Sequence, residues 1–134
     1  MSFEISYVEA PVIQATELAA LFRASGINRP VDDLPRLEKM LAHANLVIGA
    51  YLDSRLVGIA RALTDFSYCC YLSDLAVVKD YQHRGIGREL IRRIKQRVGE
   101  QSMLLLLSAP AAMAYYPKVG FEKVENGWII RRTR

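Results

Sequence analysis

The residues best suited to chemistry form a short loop at positions 82–87, with the sequence Gln-His-Arg-Gly-Ile-Gly. The loop follows a β-rich run and opens an amphipathic helix, so it presents unpaired backbone N–H groups at the positive end of a helix dipole. This arrangement predicts a phosphate or pyrophosphate site. A dinucleotide fingerprint requires a third glycine where this chain has Leu90, and a P-loop requires Gly-Lys-Ser/Thr where it has Gly87-Arg88-Glu89. Both of those motifs are therefore disfavoured.

The elements that hold this loop follow from the spacing of the apolar residues. Alternation with period two predicts the first strand, runs rich in β-branched, aromatic and other apolar residues predict the later strands, and a repeat of three to four residues predicts helices. The predicted strands run from Phe3 to a break at Pro11 and over 46–52, 56–63, 68–78, 103–107, 121–124 and 128–131. The predicted helices cover 12–24, 34–44, 86–98 and 111–119. Residues 103–107 are all apolar, which predicts a central strand, covered on both faces and parallel to the one before it.

The composition is that of one globular domain spanning residues 1–134. Hydrophobic residues make up 51% and charged residues 24%, which excludes disorder and a collagen-like repeat. The longest apolar run is far shorter than the ~20 residues of a membrane helix, so we expect a soluble, cytoplasmic protein without a membrane partner. The adjacent cysteines, Cys69 and Cys70, indicate a reducing compartment, and the absence of Cys/His spacing disfavours a metal site.

The net charge of +4 comes largely from a basic helix at residues 84–97. Six Lys and Arg residues there are opposed by a single acidic residue, Glu89. Such a field suits an anionic small ligand, although a solvated helix face is the simpler interpretation for most of the six. A nucleic-acid partner is disfavoured because the cluster lacks interleaved aromatic residues.

Three segments resemble the GCN5-related N-acetyltransferases. Residues 82–87 match the family signature Gln/Arg-x-x-Gly-x-Gly/Ala, residues 74–78 resemble its central strand, and residues 115–121 resemble its late Phe-Tyr-x-Lys-x-Gly-Phe segment. The order of the elements also agrees over essentially the whole chain. The resemblance implies an α/β fold, with a central mixed (α+β) sheet of six to seven strands flanked by about four helices.

The resemblance further implies acetyl-CoA as co-substrate and no metal. In the family, backbone N–H groups of the loop bind the pyrophosphate of coenzyme A, and the pantetheine arm pairs with the central strand beside a β-bulge. The corresponding positions here are Leu75, Ala76 and Val77 for pantetheine, and Gln82, His83, Arg84, Gly85, Ile86, Gly87 and Arg88 for pyrophosphate. Nothing in residues 71–74 reveals the bulge by sequence.

The implied reaction is direct transfer of the acetyl group to a primary amine in a ternary complex. Family alignment selects Tyr116 as the proton donor to the leaving thiolate, with a core tyrosine as the alternative, and assigns Tyr115 to packing. Asp74 is the candidate general base, although it could instead cap a loop or pair with an arginine. Deprotonation through ordered water is also open. A covalent route through Cys69 or Cys70 is weaker, because no neighbouring base or positive charge lowers a thiol pKa.

The acceptor is expected to be a small-molecule amine, with a protein N-terminus or lysine as open alternatives. The acceptor region maps to Phe22, Ile27, Asn28, Arg29 and the surroundings of Trp128. An acyl-CoA-binding sensor without turnover is the alternative function. The final hairpin is a candidate surface for a homodimer.

Overall fold

The computed structural model describes residues 4–134, so Phe3 of the predicted first strand lies outside the described residues. Within that range the chain forms five strands and three α-helices. The strands are β1 (Ile5–Glu9), β2 (Leu46–Leu52), β3 (Arg55–Thr64), β4 (Cys69–Val77) and β5 (Met103–Leu105). The helices are α1 (Ala15–Ser25), α2 (Leu34–His43) and α3 (Ile86–Val98). Short 3-10 turns occupy Lys79–Tyr81, Pro110–Ala112 and Tyr116–Val119.

The five strands form one mixed sheet in chain order, which confirms the predicted α/β class. Strands β1 to β4 pair antiparallel with their neighbours, and β5 pairs parallel with β4. Helix α3 supplies the connection that a parallel pair requires. The predicted hairpin turn joins β2 to β3, with Asp53 in the left-handed region at φ 54°.

The core lies on both sides of β3, where every residue from Leu56 to Ala62 is buried. Burial of consecutive residues requires that both faces of a strand be covered, and α1 and α3 provide the contacts. The apolar stripes of the two helices, which include Leu18 and Phe22 on α1 and Leu90 on α3, are fully buried. Each such side chain stabilises the fold by about 1.5–3 kcal/mol.

Strand β5 corrects one prediction. It pairs parallel with β4 as expected, but it lies at the edge of the sheet instead of the centre. Met103 and Leu107, at either end of the apolar run, remain exposed. The run was predicted to be central because apolar residues on both faces imply cover on both faces, but among residues 4–134 β4 is its only strand partner.

The predicted final hairpin is also wrong, because residues 121–134 form neither strand. The sheet therefore has five described strands instead of six or seven. An isolated two-stranded hairpin is marginal without apolar surface to cover, and Trp128 and Ile130 are fully exposed. The segment instead ends beside α2, where Arg36 Nη2 donates to the Arg134 carbonyl at 3.2 Å.

The predicted helix at 111–119 forms two 3-10 turns instead of an α-helix. Pro117 explains the break, because proline has no N–H and its ring clashes with the carbonyl four residues earlier. The second of these turns begins at Tyr116 and ends before Gly120, which has the left-handed φ of 98°.

Over residues 4–134, no helix is both long enough and apolar enough to span a bilayer.

Candidate active site

An extra residue in β4 makes a β-bulge at the centre of the candidate site. Arg61 of β3 lies opposite Asp74, but the next residue, Ala62, lies opposite Leu72, so Ser73 has no partner in β3. A bulge bends its strand and increases the local twist. It falls within residues 71–74, where a bulge was expected without any sequence signal for it.

Two arginines bind Asp74 from different elements. Arg29 Nε, from the segment between α1 and α2, donates to Asp74 Oδ1 at 2.6 Å. Arg61 Nε, from β3, donates to Asp74 Oδ2. The Asp74 side chain is completely buried, and Arg61 is 6% exposed. Both carboxylate oxygens therefore accept from guanidinium groups, as in the arginine pairing that the sequence left open for this aspartate.

The same arginines bind the extra residue of the bulge. Arg29 Nη2 donates to the Ser73 carbonyl at 2.7 Å, and Arg61 Nη2 donates to Ser73 Oγ at 3.0 Å. Arg61 Nη1 also donates to the Met40 carbonyl of α2 at 3.2 Å. We call Arg29, Arg61, Ser73 and Asp74 the bulge network.

Strands β4 and β5 separate next to the bulge. Their ladder pairs residues 69–71 with 103–105, and its last pair is Tyr71 with Leu105, whereas β4 continues to Val77. Among the described residues, the β5-facing edge of β4 therefore has no strand partner beyond Tyr71. An open strand edge of this kind can pair with an extended ligand.

The register with β3 identifies which backbone groups lie on that open edge. The Val78 N–H donates to the Val57 carbonyl at 2.9 Å, so Val78 faces β3. Because backbone groups alternate along a strand, those of Leu75 and Val77 face away from β3, whereas those of Ala76 face toward it. Of the three residues predicted to hold pantetheine, Leu75 and Val77 thus present polar groups at the open edge.

The open edge ends at the N-terminus of α3. Gly85 precedes the helix in the left-handed conformation at φ 84°, and the first helical hydrogen bond joins the Glu89 N–H to the Gly85 carbonyl at 3.0 Å. The N–H groups of Ile86, Gly87 and Arg88 come before that bond and point out of the helix end, as an anion site requires. A Cβ atom on Gly87 would lie 3.1 Å from Tyr115 Oη, so the close approach of the tyrosine favours glycine there.

Gln82 has a different position from the rest of the loop. Its backbone N–H donates to the Lys79 carbonyl at 3.3 Å, and its side-chain Nε2 donates to the Val77 carbonyl at 2.8 Å. The side chain thus closes the end of the open edge. His83 follows with a left-handed φ of 66°, and the Arg84 guanidinium lies 5.4 Å from the centre of the Tyr81 ring.

The positive charge of α3 is partly neutralised. Glu89 pairs with both Arg92 and Arg93 at 2.7 Å, and hydrogen bonds from these two arginines hold the pKa of Glu89 down to about 2. Farther along, Arg97 pairs with Glu9 at 3.0 Å. Arg88, near the helix start, instead donates to the Lys118 carbonyl at 3.2 Å. The chain segment that carries Tyr115 and Tyr116 is thereby held against the start of α3.

Tyr116 is half-buried and lies close enough to Arg29 for its phenol to be affected by the positive charge. Its ring packs edge to face with Tyr115 and with Phe121, at centroid distances of 5.3 and 5.5 Å. Burial raises the pKa of the Tyr116 phenol above its ordinary 10.0, the Tyr115 phenol raises it further, and the positive charge of Arg29 lowers it. The phenol therefore keeps its proton at neutral pH, as a proton donor must.

The residues predicted for the acceptor do not form one group. Phe22 is fully buried in the core, and the Arg29 side chain is bonded to β4. The Asn28 carbonyl accepts from Arg29 Nη1 at 2.7 Å, and Trp128 is 98% exposed in the C-terminal segment. Arg61 was not among the predicted site residues, although a charged residue inside an apolar strand was a usable signal.

Neither metal nor thiolate chemistry has support in the described chain. No group of three or more His, Cys, Asp or Glu residues within 4–134 is arranged to hold a metal ion. Cys69 is exposed and Cys70 buried, and both are free thiols. Burial raises the pKa of Cys70, which opposes formation of a nucleophilic thiolate.

A family model and a sequence relative both match this chain to N-acetyltransferases. The family model of the acetyltransferase (GNAT) domain matches residues 22–129. An uncharacterized N-acetyltransferase of Porphyra purpurea, ycf52, is 30% identical over an alignment of 124 residues that covers 86% of this chain and 68% of the relative.

Solved structures show the same fold. A probable acetyltransferase from methicillin-resistant Staphylococcus aureus superposes with a TM-score of 0.82 at 23% identity, covering 96% of this chain and 100% of the other. The aminoglycoside N-acetyltransferase AAC(6')-Iy, in complex with CoA, gives a TM-score of 0.71 at 18% identity and covers 100% of this chain and 98% of its own.

Proposed function

Because this chain belongs to the GNAT acetyltransferases, and is thus an N-acetyltransferase with an acyl-CoA co-substrate, we propose that it transfers an acetyl group from acetyl-CoA to a primary amine of a small molecule. The transfer takes place by direct attack in a ternary complex. The observation that carries this proposal is the open edge of β4, which begins where the ladder with β5 stops and ends at the N-terminus of α3.

The residues of this chain fit the two ends of coenzyme A. The N–H groups of Ile86, Gly87 and Arg88 suit the pyrophosphate, because they lie at the positive end of the α3 dipole. The open-edge groups of Leu75 and Val77 suit the amides of the pantetheine arm, because strand-like pairing needs donors and acceptors on one side of an extended backbone. Gln82 Nε2, bound to the Val77 carbonyl, limits how far that pairing extends.

The reaction needs a neutral amine, a polarised carbonyl and a proton for the leaving group. The amine nitrogen forms a bond to the carbonyl carbon, and the bond from that carbon to sulfur breaks. Tyr116 donates its phenolic proton to the departing thiolate and recovers a proton from solvent. Its raised pKa supports this role, because the phenol is protonated over the physiological pH range.

We assign the removal of the amine proton to water and not to Asp74. A general base needs a lone pair within reach of the substrate. Both Asp74 oxygens accept hydrogen bonds from buried or half-buried arginines, and no part of the side chain is exposed. Asp74 in this proposal organises the site and does not take the proton.

The acceptor we propose is a small amine with one positive charge. Solved structures with this fold include aminoglycoside acetyltransferases, and aminoglycosides are polycations. In this chain, however, Arg29 and Arg61 oppose a single buried carboxylate at the bulge, which leaves a net positive charge beside the open edge. Like charges repel across a binding surface, so monoamines should be better acceptors than polyamines or aminoglycosides.

Release of free thiol from acetyl-CoA tests the proposal. The purified chain is first heated with and without saturating CoA, because ligand at about 100 times its dissociation constant stabilises by ~2.7 kcal/mol and raises the midpoint by several degrees. Thiol release is then measured with a monoamine, a polyamine and an aminoglycoside. Stabilisation without release by any amine would favour the acyl-CoA sensor, and no stabilisation of a folded protein would refute the CoA site.

A further inference from the structure

The bulge network places three charges where a neutral core would be expected. Asp74 is fully buried and Arg61 is 6% exposed, and these two alone would form a neutral pair. Arg29 adds a second positive charge, with its side chain 27% exposed. Replacing buried ionic groups with apolar residues is often neutral or stabilising. A contribution to overall stability therefore does not account for the third charge, Arg29.

The hydrogen bonds of Arg29 indicate its structural role. Ser73 has no partner in β3, and its carbonyl accepts from Arg29 Nη2 at 2.7 Å. The same guanidinium donates through Nε to Asp74 at 2.6 Å. Two neighbouring residues of one bulge are thus held by a single planar group, a geometry that arginine provides and lysine does not.

Arg29 is also held by a hydrogen bond within its own segment. Its Nη1 donates to the Asn28 carbonyl at 2.7 Å, within the segment that connects α1 to α2. The guanidinium therefore joins that segment to the bulge of β4. Leu75, whose backbone polar groups lie on the open edge, follows Asp74 directly.

We propose that Arg29 is a positioning residue for the pantetheine arm: by holding Ser73 and Asp74 together, it sets the direction in which β4 leaves the bulge and presents Leu75 and Val77. This inference rests on the proposed function, because it concerns the same open edge. It assigns no contact between Arg29 and the pyrophosphate, which binds at the far end of that edge.

Two ligands separate this role from a general one. Coenzyme A carries the pantetheine arm, and adenosine 3′-phosphate 5′-diphosphate carries the pyrophosphate without it. We expect Arg29→Met to bind coenzyme A at least about tenfold more weakly than the unmodified chain, a loss of about 1.4 kcal/mol. Its affinity for adenosine 3′-phosphate 5′-diphosphate should not change, and calorimetric titration measures both affinities.

Arg23 offers a matched control, because it binds the same inter-helix segment without reaching β4. Arg23 Nη2 donates to the Val31 carbonyl at 3.3 Å and to Asp32 at 3.0 Å. Arg23→Met should therefore bind both ligands as the unmodified chain does. Arg29→Lys keeps the charge but cannot hold both bulge residues, so it should share the coenzyme A defect of Arg29→Met.

The outcomes are distinct. Equal loss of both ligands in Arg29→Met, unchanged coenzyme A affinity, or full affinity in Arg29→Lys would each overturn the positioning role. Failure of the unmodified chain to bind coenzyme A would instead refute the proposed function. Thermal midpoints of the variants verify folding, which we expect to persist because Asp74 retains Arg61 as a partner.

Discussion

A negative charge at Gly85 should block the proposed pyrophosphate site. Gly85 immediately precedes α3 with φ 84° and ψ 2°, and a Cβ atom there would meet no other atom within 4 Å. Any other residue strains this left-handed backbone, but aspartate and asparagine tolerate it best. Gly85→Asp and Gly85→Asn therefore form a matched pair that differs mainly by one charge.

The charge sets the size of the effect. One unit charge about 5 Å from another contributes about 0.8 kcal/mol at the dielectric constant of water and about 3.3 kcal/mol at an effective value near 20. These energies correspond to dissociation constants weaker by about 4-fold and about 250-fold. The backbone strain, about 1 to 2 kcal/mol on the fold, is common to both variants and cancels between them.

Calorimetric titration with coenzyme A measures the ratio of the two affinities. We expect Gly85→Asp to bind coenzyme A about 4-fold to 250-fold more weakly than Gly85→Asn. The ratio of the two affinities should approach one as sodium chloride is raised to 1 M, where the screening length is about 3 Å. Equal affinities at low salt, with both variants folded, would show that the pyrophosphate does not bind at the N-terminus of α3.

Three further changes test other parts of the structure. Tyr116→Phe should lower kcat by about 10²- to 10⁴-fold with little change in coenzyme A affinity, because it removes a general acid; similar losses in kcat and affinity would contradict the role. Asp65 accepts three backbone N–H bonds, which lower its pKa to about 2 from 3.8. The midpoint advantage of the unmodified chain over Asp65→Ala should therefore be constant above pH 5 and shrink as the pH falls toward 2, and an advantage that grows on acidification would exclude this explanation. Gly87→Ala should raise the free energy of unfolding by less than the roughly 1 kcal/mol by which alanine exceeds glycine in a helix, because the new Cβ atom would lie 3.1 Å from Tyr115 Oη. Adding Tyr115→Phe should restore the full stabilisation. If the midpoint shifts of the two single variants simply add in the double variant, the alanine does not clash with the Tyr115 hydroxyl.

The sequence predicted the elements whose side chains pack. The alternation in β1, the β-rich runs of β2 to β4 and the apolar stripes of α1 and α3 reflect real burial, so their types and order could be recognised from local spacing and composition. Local patterning failed for residues 121–134, where the three consecutive apolar residues Trp128, Ile129 and Ile130 remain exposed. It also failed for the helix at 111–119, where the single residue Pro117 outweighs the spacing of the others.

The candidate site was predictable only in part. The glycine loop is contiguous, so its position before α3 could be read directly. The bulge depends on the hydrogen-bond register between β3 and β4, to which no single residue corresponds. The bulge network unites Arg29, Arg61 and Asp74 from three distant parts of the chain, and only the folded backbone brings them together. The sequence marked Asp74 as unusual but could not identify its partners.

The exposed C-terminal segment determines what fluorescence can report. Trp128 is the single tryptophan of the chain, and it is 98% exposed, away from the core. Its emission in the native state is therefore that of a solvated indole, and loss of the core changes its surroundings little. Intrinsic fluorescence is thus a weak measure of unfolding in this protein but a specific sensor of the last residues: a shift to shorter wavelength signals that something, such as a second copy of the chain, has covered them.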